Sequence, residues 1–93
     1  MRYIVFKEGK TWYAVGLDFN LVEASDDPRN ALVDLLDAIQ GYVAAAKKIK
    51  GGRVSALLNQ KAEPEYEKMW QTLKTGRSVR SPYQVHTFGV TTV

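Results

Sequence analysis

The sequence predicts an α+β domain, a three-stranded antiparallel sheet packed by one long helix, with a C-terminal helix and strand added to it. Three observations carry that expectation. Two short runs of strand-forming residues flank a glycine near the start; a stretch beginning at Pro28 repeats apolar residues at helical spacing; a second such stretch begins near Pro64. At 93 residues the chain suits a single domain, 1–93, with residues 1–50 as a β-β-β-α core and 51–93 as the extension.

Arg2–Lys7 contains Tyr3, Ile4, Val5 and Phe6, all residues that fit a pleated surface, and predicts the first strand. Glu8-Gly9-Lys10 is a polar turn with the glycine that a hairpin uses. Thr11–Leu17 predicts the second strand, with Trp12, Ala14 and Gly16 on one face and Thr11, Tyr13, Val15 and Leu17 on the other. Asp18-Phe19-Asn20 reads as a turn or bulge, and Leu21–Ala24 as a short third strand.

The helix that follows has the clearest local signal. Asp27 is placed to cap it and Pro28 to begin it, because proline lacks only an N–H that has no partner there. The acidic pair Asp26-Asp27 suits the positive end of the helix dipole. Leu32, Leu35, Leu36, Ile39 and Val43 form one apolar stripe, with Asp34, Asp37 and Gln40 opposite. Lys47, Lys48 and Lys50 occupy the last turn, and Gly51-Gly52 stops the helix, which is predicted to run over Pro28–Lys50. Gly41, inside it, predicts a point of close packing.

Val54–Gln60 reads as either a short helix or a strand. Glu63–Lys74 predicts a helix with Tyr66, Met69, Trp70 and Leu73 as its stripe and Gly76 as its stop. Arg77–Pro82 is a polar link, and Tyr83–Val93 predicts a final strand.

Charge is unevenly divided. Residues 1–46 carry four basic and seven acidic groups, a net of −3, and residues 47–93 carry nine and three, a net of +6. An anionic partner for the second half is one reading; two solvated faces of different sign, or head-to-tail pairing of protomers, is the other. Lys47, Lys48, Lys50 and Arg53 are compact enough to touch phosphates, and Arg77 and Arg80 flank Ser78 in the link, so these six are the candidate partner or nucleic-acid contacts. Tyr3, Trp12, Tyr13 and Phe19 could stack on bases if exposed, but a domain this small needs large side chains for its core.

Catalytic groups are scarce. There is no cysteine and one histidine, His86, so neither a thiolate site nor a common transition-metal site can be assembled. Asp26-Asp27 is better explained by capping than by magnesium. No serine sits in a nucleophile elbow and no phosphate-binding glycine pattern occurs. The expectation is a non-enzyme with no catalytic, metal or cofactor-binding residues. No apolar run approaches the ~20 residues that cross a bilayer, and Met1–Lys7 is charged too early for a signal peptide. A cytoplasmic location and no membrane partner are expected.

In the N-terminal half the order of features resembles HicB-type antitoxins and their stand-alone relatives. It runs from a strand opening Met1-Arg2-Tyr3, through a hairpin and Trp12-Tyr13-Ala14-Val15, to Asp18, a short strand, and a helix rich in Ala and Leu over Asp27–Ala38. The resemblance covers Met1 to about Lys48. It implies a truncated, RNase H-like β-β-β-α-β fold without catalytic carboxylates, dimers or tetramers, and binding to a small HicA-type RNase toxin. Two features differ from the family. Asp18–Val22 lacks the usual glycine and cysteine, and residues 52–93 carry no recognisable helix-turn-helix or ribbon-helix-helix segment. The resulting expectation is a homo-oligomeric, antitoxin-like binding protein acting through protein contacts, with a nucleic-acid-binding module as the alternative.

Overall fold

The chain opens with a tight hairpin. In the computed structural model, which describes residues 1–47, 63–79 and 82–92, strand β1 (Arg2–Glu8) pairs antiparallel with β2 (Thr11–Gly16). Glu8 faces Thr11, so Gly9 and Lys10 form a two-residue loop, and Gly9 adopts φ +65°. A positive φ at the first loop position matches the twist of the flanking strands and explains the glycine. Residues 17–20 turn the chain into β3 (Leu21–Ser25), with Asn20 at φ 51°, a conformation its short polar side chain tolerates.

Helix α1 (Pro28–Lys47) starts as anticipated. Asp27 Oδ1 accepts the N–H groups of Arg29 at 2.8 Å and Asn30 at 3.2 Å, satisfying two donors with no partner inside the helix. The buried stripe is Ala31, Leu35 and Ile39, with Leu32, Leu36 and Val43 half-buried beside it. Gly41 corrects an expectation: it is exposed, and nothing would lie within 4 Å of an added Cβ. The close approach is at Gly16 instead, where a Cβ would meet Met1 Sδ at 2.8 Å and Ile39 Cδ1 at 3.2 Å.

Helix α2 (Pro64–Lys74) buries Met69, Trp70 and Leu73 with Tyr66 packed beside them, the predicted stripe. Its end is a Schellman turn: Gly76, at φ +79°, donates to Leu73 O, and Arg77 N–H donates to Thr72 O at 3.1 Å. The last strand, β4 (Gln84–Val90), enlarges the predicted sheet. It pairs antiparallel with the free edge of β1, giving four strands in the order β3-β2-β1-β4. Opposite Val5 and Phe6 the partners are Thr87 and Val85, so His86 is the extra residue of a bulge.

The sheet is covered on both faces. Ile4, Phe6, Val15 and Leu17 meet α2, whereas Val5, Ala14 and Phe19 meet α1. The alternation predicted for β2 is what divides these clusters. The fold is therefore α+β, with, among the described residues, one helix on each face of a four-stranded antiparallel sheet. Residues 48–62, including the Val54–Gln60 segment and the glycine stop of the first helix, lie outside the described residues. Among the described residues no helix is long and apolar enough to cross a membrane.

Candidate interaction surface

Helix α1 lies over β2 and β3 and only partly over β1. On that face the β1–β4 end carries an exposed group instead. Lys7 Nζ stands 5.7 Å above the Trp12 ring, and the His86 ring meets Trp12 edge-on at 5.6 Å. Lys7 and Trp12 are half-buried and His86 is exposed. The bulge brings His86 to this place by breaking the alternation of β4.

On the opposite face, the Schellman turn carries Arg77, Ser78 and Val79 back past the start of β4. An open groove of about 520 Å³ runs between this segment and the strand, lined by Leu73, Arg77, Val79, Tyr83, Val85 and Phe88. A second, of about 650 Å³, lies between the segment and α2, with Glu65, Lys68 and Thr72 on its far wall. Arg77 is exposed and borders both. Of the other predicted contacts, Lys47 is the last described residue of α1, and Lys48, Lys50, Arg53 and Arg80 lie outside the described residues.

Two carboxylates do come together, around Arg2. Its Nε and Nη2 donate to Asp18 Oδ1 at 3.1 and 2.9 Å, its backbone N–H donates to Asp18 Oδ2, and Nη1 donates to Glu67 Oε1. The guanidinium also lies 5.7 Å from the Trp70 ring centre. Partial burial pushes the Asp18 carboxyl up, but the side-chain and backbone hydrogen bonds from Arg2 outweigh it and hold the group below its ordinary value. Hydrogen bonds to Glu67 and Asp18 keep Arg2 above its ordinary value. The arrangement ties α2 to the start of β1 and the end of β2. Among the described residues no cluster of three or more metal-ligating side chains occurs.

The outer edge of β4 has no strand beside it among the described residues. Along it Phe88 is 42% and Val90 72% exposed. Strand β4 contains no charged residue and no proline, the usual protections of a sheet edge. The strand is marked in the sequence but its placement is not, because its partners on β1 lie 77 to 88 residues earlier in the chain. Comparison with protein-family models, curated proteins and solved structures finds no match to this chain.

Proposed function

We propose that the protein is a non-catalytic, HicB-like binding protein of antitoxin type that acts through protein contacts. The observation that carries this reading is the element order. Three antiparallel strands lead into a helix across one face, and a later strand returns to the free edge of β1. The first four elements are those that a truncated RNase H-like β-β-β-α-β fold calls for, and α2, inserted before the antiparallel β4, is an addition to it. The carboxylate pair Asp18–Glu67 also fits a binding protein better than a nuclease, because Arg2 occupies the position between the two side chains. The partner implied is a small HicA-type RNase encoded nearby, with the cytoplasm as the site of action.

Co-expression with the neighbouring short reading frame tests the reading. The two chains should co-purify, and the complex should lose the RNase activity of the partner alone. Absence of such a partner, or full RNase activity in the mixture, defeats it.

A second reading is favoured by one local group, the Lys7–Trp12–His86 cluster, which offers a cation beside an aromatic ring on an open part of the sheet. With the basic second half of the chain, it describes a nucleic-acid-binding module. Single-stranded RNA and duplex DNA titrated at several salt concentrations separate the two: binding that weakens steeply with salt supports the module, and no binding at low salt removes it.

A further inference from the structure

The two edges of the sheet differ in how they would meet a copy of themselves. Strand β3 has five residues with Glu23 at its centre, so antiparallel pairing with a second β3 about that centre sets two carboxylates against each other. Strand β4 has seven residues and no charge. Past the bulge its ladder is regular, with Thr87, Phe88, Gly89 and Val90 opposite Val5, Ile4, Tyr3 and Arg2. Phe88 and Val90 therefore point to the same face, two residues apart, with Gly89 between them.

We infer that β4 is a self-association edge. Two copies pair antiparallel through β4 about a two-fold axis at Gly89, placing Phe88 of one copy opposite Val90 of the other. Directly opposed residues bring their Cβ atoms within about 5.5 Å, so the two Phe88 and two Val90 side chains form one apolar cluster across the axis. This pairing removes from water two of the most exposed large apolar side chains among the described residues. Trp70, whose ring meets Phe88 edge-on at 5.9 Å, extends the cluster within each copy. The pairing is isologous and closes on itself, producing an eight-stranded sheet that ends in the Glu23-bearing β3 edges and does not grow into filaments. The bulge at His86 interrupts the regular ladder, so the paired stretch about Gly89 is short. The inference stands apart from the antitoxin reading, since it needs no toxin.

Sedimentation velocity of the full chain across the micromolar range tests it, together with Val90→Asp and, as a control, Val33→Asp. Val33 is 53% exposed on α1, away from β4. The original chain and Val33→Asp should form a reversible dimer, and Val90→Asp should sediment as a monomer whose unfolding midpoint matches that of the original chain at dilutions where the latter is dissociated. A monomer at every concentration, or a Val90→Asp dimer, overturns the proposal. Because the chain has no cysteine, Thr92→Cys takes one nitroxide per copy on an otherwise unaltered edge. The pairing sets the two labelled backbones six residues apart along the ladder, about 20 Å. A dimer lacking a dipolar distance near that value overturns the register.

Discussion

The two faces of the sheet are built differently. Under α1 the closest approach is made over small residues, Ala14 and Gly16 on β2, which meet Ala31, Leu35 and Ile39, with one ring pair beside them, Phe19 edge-on to Tyr42 at 5.7 Å. The helix follows directly on the strands it covers and lies close to them. Under α2 the gap is filled by rings. Phe6 stacks on Tyr13 at 5.6 Å and meets Tyr83 edge-on at 5.3 Å and Tyr66 at 6.1 Å, while Trp70 meets Phe88. That face joins residues from both ends of the chain and is clamped by Arg2. One face is a local β-β-β-α unit and the other a long-range closure, and because they occupy opposite sides of the same strands their losses should add.

The largest expected effect is at the centre of the ring cluster. Phe6→Ala should cost about 3–5 kcal/mol, read from the urea midpoint, because a buried ring leaves a cavity its neighbours cannot fill. Leu35→Ala, on the α1 face, should cost about 2–5 kcal/mol. The two residues belong to separate clusters, so the double variant should equal the two losses combined to within about 0.5 kcal/mol. A larger discrepancy means that the faces are coupled.

Two glycines sharpen the comparison with opposite signs. Gly16→Ala should destabilise by about 1–3 kcal/mol, since the new methyl meets Met1 and Ile39. Gly41→Ala should stabilise by up to about 1 kcal/mol, because the site is open and alanine is the better helix former. Thermal unfolding of both variants checks the pair.

The smallest effect concerns the clamp. The Asp18 carboxyl lies below its ordinary value in the folded chain, so its contribution is present above the unfolded-state pKa, about 3.9, and is lost as pH falls through the lower folded value. Asp18→Asn should therefore lower stability at neutral pH, converge on the original chain at low pH, and so flatten the acid limb of the stability profile. Equal acid sensitivity in the two chains would remove the clamp from the account.

Much of the α1 face was legible because its signals are local. Gly9 marks the hairpin, Asp27-Pro28 the helix start, and the period of two in Thr11–Leu17 the division between clusters. Ala31 was not read as core because alanine is ambiguous in a hydropathy pattern, and Gly41 was misread because a glycine's role depends on what lies opposite it. The α2 stripe and its Gly76 stop were equally clear. What could not be read was where α2 and β4 dock, since Arg2 finds Glu67 at a separation of 65 residues and no periodicity records that. Of the six predicted contacts two are described, Lys47 at the end of α1 and Arg77 at the grooves beside β4, while the exposed pair Phe88 and Val90 passed as ordinary strand residues.

The central claim is that the β4 edge, and not β3, is the surface through which the chain associates. Amide hydrogen exchange at low and high protein concentration tests it most directly. Protection should rise with concentration in Thr87–Thr91 and stay constant in Leu21–Ser25. A rise confined to β3, or no change in either strand, would contradict the account.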